Sequence, residues 1–277
     1  MKPAPTITMY EHHFIPTNGI TLHTVMAGPP DGPVVILLHG FPEFWYGWRR
    51  QIPALAAAGF RVWAPDQRGY NLSDKPKGLD AYRLDALVAD ILGLIDATGQ
   101  ERVCLAGHDW GAAVAWRLAL TAPERLRHLA ILNVPHLAVM GEHLRTDPEQ
   151  MRRSLYAGFF QLPWLPETLM GAADWRALSQ ALKTSSLPGT FTDDDLAEYR
   201  RAWAKPGAMT AMLNWYRAAL RRSPLELPSE RVQPPTTIIW GMKDFALRGV
   251  MAAESAALCT WGELIELEDN THWVQHE

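Results

Sequence analysis

Cysteine is scarce: Cys104 and Cys259 are the only two among 277 residues. So far apart, they offer neither a disulfide framework nor the close spacing of a zinc site. Cys104 lies in the apolar run Val103–Ala106 and reads as a buried free thiol, which fits a reducing, cytoplasmic setting. A basic block is also missing. The 26 Lys and Arg against 30 Asp and Glu leave a net charge of −4, so no nucleic-acid partner is expected, because phosphate binding needs clustered cations. No apolar run approaches the roughly 20 residues of a membrane helix. Prolines and histidines in Met1–Phe14 interrupt what a signal peptide would keep apolar. There is no internal repeat and no low-complexity tract. Tryptophan, by contrast, is plentiful at twelve residues. It is core filling by default, and a surplus also suits an apolar pocket. The length fits one large domain or two modest ones, big enough to fold without a metal or disulfide staple.

The pattern along the chain predicts α/β architecture. His12–Pro16 and Ile20–Met26 flank Asn18-Gly19, the strongest short hairpin signal. Val34–Leu38 is an unbroken β-branched apolar run, as expected of a strand buried on both faces. Similar runs are Phe60–Ala64, Val103–Ala106, Leu129–Leu132 and Thr236–Trp240, with a weaker one at Leu264–Leu267. Helical patterns at Trp48–Ala58, Tyr82–Thr98 and Trp110–Leu120 alternate with them. Alternation of this kind implies a mostly parallel sheet with helices on both faces. It fails between Val134 and Pro228. There, helical patterns near Met151–Phe160, Thr192–Trp203 and Met209–Arg221 are broken by Pro163, Pro166, Pro188 and Pro206. The expected organisation is a core in two parts, residues 1–133 and 229–277, with a helical insertion at 134–228 between two strands. A closing helix is expected after the last strand. The sequence ends at Glu277 without one, so a chain cut short of that helix is expected.

Gly107-His108-Asp109-Trp110-Gly111 follows one strand and precedes a helix. Glycines at both ends permit a sharp turn that pushes the middle side chain out above the sheet. An Asp at that point selects the chemistry. Serine attacking a saturated carbon would give an ether that water cannot cleave. Aspartate gives an ester, whose carbonyl is then open to water. The helix N-terminus favours the ionised carboxylate. The bland alternative, a helix-capping Asp in a tight turn, uses the same residues. Two partners are needed in the chain order nucleophile, acid, His. Asp244 follows the strand Thr236–Trp240, and His272 follows Leu264–Leu267. They are expected to act as orienter and general base, although each alone reads equally well as a loop residue. Asp269 is a competitor for the acid, too near His272 in sequence to approach it from a neighbouring strand. In His39-Gly40-Phe41-Pro42, the Phe41 N–H can join the Trp110 N–H as an oxyanion hole, with Phe41-Pro42 expected to be cis in so tight a turn. His39 reads as a packing residue that orients this loop, and the other histidines show no metal spacing.

Taken together, these residues resemble the epoxide hydrolases of the α/β-hydrolase superfamily, over nearly the whole chain. The likeness runs through His39-Gly40-Phe41-Pro42-Glu43, Asp66-Gln67-Arg68-Gly69-Tyr70, Gly107–Gly111, Lys243-Asp244-Phe245 and His272-Trp273. It implies that the 134–228 insertion is a cap. It also implies that two cap tyrosines hydrogen-bond the epoxide oxygen. Tyr156-Ala157-Gly158-Phe159-Phe160-Gln161-Leu162-Pro163 matches the family's first tyrosine run, and Asn214-Trp215-Tyr216-Arg217 its second. Neither could be found by periodicity, which reads both as core packing. The implied reaction is diol formation from an epoxide through an ester on Asp109, without cofactor or metal. Phe41, Pro42, Trp110, Phe160 and Trp215 are expected to line a pocket for a small apolar or aromatic epoxide. Monomer and homodimer both stay open. A dehalogenase on the same scaffold is the alternative. Haloalkane dehalogenases commonly carry Asn where this chain has Phe41, and fluoroacetate dehalogenases favour Arg where it has Trp110.

Overall fold

The computed structural model describes residues 10–221 and 229–277. Its strands are β1 (Glu11–Thr17), β2 (Ile20–Ala27), β3 (Val34–Leu38), β4 (Arg61–Pro65), β5 (Val103–His108), β6 (Leu126–Leu132), β7 (Thr236–Gly241) and β8 (Gly262–Leu267). They form one eight-stranded sheet in the order β1-β2-β4-β3-β5-β6-β7-β8. The first hairpin and the β2–β4 pairing are antiparallel. Every pairing from β4 to β8 is parallel. The hairpin turns on Asn18 and Gly19, both at positive φ (43° and 75°), the backbone that an Asn-Gly turn favours because it matches the twist of the strands.

The core lies on both faces of the sheet. Along β3, Val34, Ile36 and Leu38 belong to the larger apolar cluster, and Val35 and Leu37 to the smaller one on the opposite face. Side chains alternate along a strand, so a run of five apolar residues is the signature of a strand covered twice. The α-helices α1 (Gln51–Ala57), α2 (Leu84–Ala97) and α3 (Trp110–Thr121) follow β3, β4 and β5. The first two start later than the sequence pattern predicts, because single 3-10 turns at Trp45–Trp48 and Asp80–Tyr82 precede them. Tryptophan is mainly core filling: Trp48, Trp116, Trp203, Trp215 and Trp240 are all fully buried.

Between β6 and β7 come α4 (Leu137–Thr146), α5 (Pro148–Arg153), α6 (Leu155–Phe159), α7 (Leu165–Ser185), α8 (Asp193–Trp203) and α9 (Ala208–Arg221); α10 (Val250–Ala257) follows β7. The far end of the expected insertion, at residue 228, lies outside the described residues. The Thr192 side chain caps α8, accepting from the Asp195 N–H while Asp195 accepts from the Thr192 N–H, a reciprocal capping box. The expected Met151–Phe160 helix is two helices, parted at Ser154. Helices α4, α7 and α10 have no counterpart in the sequence reading. α7 is interrupted at Ala172–Trp175, three of whose residues have positive φ, so its apolar positions keep no single helical period. Indole N–H groups seat α8 and α9 on the core: Trp203 donates to the Pro42 carbonyl at 2.6 Å and Trp215 to that of Arg68 at 3.0 Å. Among the described residues no helix is long and apolar enough to cross a membrane, and no group of three or more His, Cys, Asp or Glu side chains could hold a metal ion.

The turns after β3 and β5 touch through glycine. A Cβ on Gly111 would run into the backbone carbonyls of Leu38 and His39. Backbone cannot swing aside as a side chain can, so Gly111→Ala is expected to cost about 1–3 kcal/mol, the range of overpacked sites. Urea unfolding measures this, and an unchanged midpoint would show that the two turns part freely.

Candidate active site

Asp109 stands between β5 and α3 at φ 49° and ψ −124°. That is a strained setting for any residue but glycine, and it turns the side chain away from the helix it precedes. Gly40 lets the neighbouring loop come close, since a Cβ there would collide with the Asp109 carboxylate. The Phe41 N–H donates to Asp109 Oδ1 at 2.7 Å. Trp110 opens α3, so its N–H belongs to the first helical turn, whose amides lack partners within the helix. The Phe41-Pro42 peptide is cis. His39 is buried; its Nε2 accepts from the Gln67 N–H at 3.0 Å and its Nδ1 donates to the Gly40 carbonyl at 3.0 Å. Both ring nitrogens are thereby committed to holding the loop.

The loops after β7 and β8 bring Asp244 and His272 to the same edge of the sheet. His272 Nδ1 donates to Asp244 Oδ2 at 2.7 Å, and its Nε2 faces Asp109 Oδ2 at 3.8 Å. Burial alone would lower the His272 pKa, but Asp244, then Asp109, reverse this and raise it to about 9. Burial would raise the Asp244 pKa. The His272 imidazole outweighs it, helped by the Leu247 N–H and the Asn133 amide, and holds it below the usual value. Asp269 is exposed and pairs with Lys243 at 2.7 Å, away from the imidazole.

Support for Asp244 comes from residues that carry no motif. Asn133, at positive φ just past β6, donates to Asp244 Oδ2 at 2.8 Å, and its own Oδ1 accepts from the Gly241 N–H at 3.0 Å. Helix α5 grips the same loop. Arg153 donates to the Asp244 carbonyl at 2.8 Å and Gln150 to that of Ala246 at 2.9 Å. The one available signal was Asn133 itself, an Asn after a buried strand, since Asn tolerates left-handed backbone.

Beneath His272 lies a second buried carboxylate, Glu43. Tyr199 of α8 donates to its Oε1 at 2.7 Å, as does His276 Nε2 at 2.6 Å, and Gln275 donates to its Oε2 at 2.9 Å. The same Gln275 amide lies 2.9 Å from His108 Nδ1, while His108 Nε2 lies 2.8 Å from the His272 carbonyl. His108 Nδ1 also faces Glu43 Oε2 at 3.2 Å. Burial opposes the Glu43 charge, but His276 and His108 hold its pKa well below the usual carboxylate range.

Two tyrosines face this group from the inserted helices. Tyr156 (α6) and Tyr216 (α9) have ring centroids 6.0 Å apart. Phe160 packs between them, 5.5 Å from the first and 4.9 Å from the second. Phe41 and Trp110 meet Tyr216 edge to face at 5.3 and 5.0 Å. Tyr156 leaves 39% of its surface exposed, yet its hydroxyl is buried. Burial foremost, with Asp109 among the neighbouring negative charges, raises both phenols above the usual 10, so both stay protonated. Of the expected pocket residues, Phe41, Trp110 and Phe160 join this aromatic group. Trp215 packs behind Trp110 at 5.9 Å, and the buried Pro42 is held by Trp203.

Residues 33–277 match the alpha/beta hydrolase fold family. The chain is 50% identical over 264 residues to the AB hydrolase superfamily protein YfhM of Bacillus subtilis, covering 95% of this chain and 92% of that one. It is 36% identical to epoxide hydrolase 4 of Mus musculus, covering 99% and 77%. Among solved structures it resembles a Bacillus megaterium epoxide hydrolase in complex with an inhibitor, at 33% identity and a TM-score of 0.86, covering 95% and 94%.

The elevated His272 pKa has a sign that can be tested. It lies above the ordinary 6.5, so the stability it contributes is complete below that pH and is lost as pH rises through about 9. Asp244→Asn and Asp109→Asn are each expected to lower it, the first more, because Asp244 is the nearer and larger cause. Imidazole NMR titration measures both shifts. A His272 pKa unmoved by Asp244→Asn would contradict the assignment.

Proposed function

Because the chain belongs to the α/β-hydrolase family, as one of its epoxide hydrolases, we propose that it opens an epoxide to a vicinal diol through an ester on Asp109. The observation that carries this reading is the seating of the Tyr156–Tyr216 pair against Phe41 and Trp110, the two residues that flank the Asp109 carboxylate, with the His272 imidazole beside it. In this reading residues 134–228 are a cap over a core formed by 1–133 and 229–277. The cap supplies proton donors and the core supplies the nucleophile and the base.

In the first step Asp109 Oδ2 attacks one epoxide carbon from the back, at the less hindered or electronically preferred position. The carbon–oxygen bond of the ring breaks, and the oxygen, still attached to the substrate, takes a proton from Tyr156 or Tyr216. A phenol with a raised pKa donates only as the alkoxide develops, which places the assistance in the transition state. Forming the ester removes the Asp109 charge. That charge is one cause of the raised His272 pKa, so ester formation shifts the imidazole toward the free base that the next step needs.

In the second step His272, held by Asp244, takes a proton from water. The water oxygen attacks the ester carbonyl carbon. The resulting oxyanion stays where Oδ1 lies, against the Phe41 N–H, with the Trp110 N–H as second donor. Collapse breaks the bond between the Asp109 carbonyl carbon and Oδ2. Oδ2 leaves in the diol and takes the proton from His272, while the proton on the retained water oxygen restores the tyrosine phenol. Asp109 is left with one oxygen from water. The aromatic surroundings, Phe41, Trp110 and Phe160, suit an apolar or aromatic substituent.

Single turnover of styrene oxide in heavy-oxygen water tests this sequence. The label is expected first in the protein and not in the diol; immediate label in the diol would overturn the ester. His272→Gln should form the ester and accumulate it. Tyr156→Phe combined with Tyr216→Phe should abolish ring opening. Halide release from a haloalkane, without epoxide turnover, would favour a dehalogenase.

A further inference from the structure

Helix α6 has only five residues, and isolated helices shorter than about 12 residues are marginal in water. Tyr156 therefore takes its place from contacts outside its own helix. Two polar side chains of the tyrosine runs that the proposed chemistry leaves unused, Gln161 and Arg217, supply such contacts. The Gln161 amide has two hydrogens. One goes to the Ala157 carbonyl, next to Tyr156, at 3.1 Å; the other goes to the Tyr216 carbonyl at 3.2 Å. A single NH2 group thus ties the α6 backbone, one residue past Tyr156, to that of Tyr216.

Arg217 reaches the other way. From α9 its Nε donates to the Phe160 carbonyl at 2.9 Å and its Nη2 to the Leu162 carbonyl at 2.7 Å. Glu167 of α7 accepts from Nη1 at 2.7 Å and from Nη2 at 3.1 Å. The guanidinium is buried, and its planar fork fits such a set of acceptors where an ammonium does not. Each tyrosine's own run therefore sends a side chain to the backbone of the other's.

Both phenols have to reach one oxygen, and O–H···O bonds span a narrow range of distance, about 2.5–3.0 Å. We propose that Gln161 and Arg217 are positioning residues that set the spacing of the Tyr156–Tyr216 pair for ring opening. This rests on the proposed role of the two tyrosines. It assigns Gln161 and Arg217 to the first chemical step and excludes them from the second.

Stopped-flow tryptophan fluorescence with excess enzyme over styrene oxide separates ester formation from ester hydrolysis. Arg217→Lys keeps the charge opposite Glu167 but cannot serve both carbonyls. It is expected to slow ester formation about a hundredfold, the scale of a misplacement near 1 Å, and to leave hydrolysis within about twofold. Gln161→Leu, at a partly exposed position, is expected to slow the same step about tenfold. It carries the test if Arg217→Lys does not fold. In a Tyr156→Phe background, either change should lose most of its effect, because there is no longer a pair to space. Equal slowing of both steps, unchanged ester formation, or an undiminished effect without Tyr156 would each overturn the assignment. Ester formation at the native rate in the double Tyr→Phe variant would instead overturn the tyrosine reading beneath it.

Discussion

The site depends on one backbone contact, that between the turns after β3 and β5. Gly40 and Gly111 let those turns meet with no side chain between them. Asp109 is held there at positive φ, its carboxylate facing the Phe41 amide on one side and His272 on the other. Parallel strands end at one edge of the sheet, and loops that leave that edge converge. Asp244 and His272 need only follow β7 and β8 to arrive beside Asp109. The strain at Asp109 is offset by burial of β3 and β5 on both faces.

Electrostatics then divides the labour. The imidazole sits between two carboxylates and holds its proton past neutrality. The phenols, buried and facing negative charge, hold theirs more firmly still. In the proposed reaction the proton donors come from the inserted helices and the proton acceptor from the core. Loss of one negative charge at Asp109 carries the site from its first task to its second.

The sheet was legible because burial on both faces writes itself as unbroken apolar runs. Val34–Leu38 was bounded correctly from that alone. Asp109, Asp244 and His272 could be paired because each follows a strand. The inserted helices were harder. α7 lacks a steady apolar period because it changes direction at Ala172–Trp175. Tyr156 and Tyr216 were singled out by resemblance only, since an aromatic on an amphipathic helix looks the same whether it fills a core or faces a site. The α5 helpers of Asp244 were out of reach for another reason. Gln150 and Arg153 act across about a hundred residues of sequence, and hydrogen bonding leaves no periodic trace.

The Glu43 cluster bears on how such a chain can diverge. Its members come from the turn after β3, the elbow at His108, helix α8 and the segment at Gln275-His276. Loss of any one partner leaves a buried charge short of a donor, a heavy penalty. These positions are therefore free to drift only in concert, whereas the exposed flank of α6 and α7, where Leu155, Trp164 and Leu169 meet solvent, can vary one residue at a time. Variation can accumulate along that flank while the ground beneath His272 stays fixed.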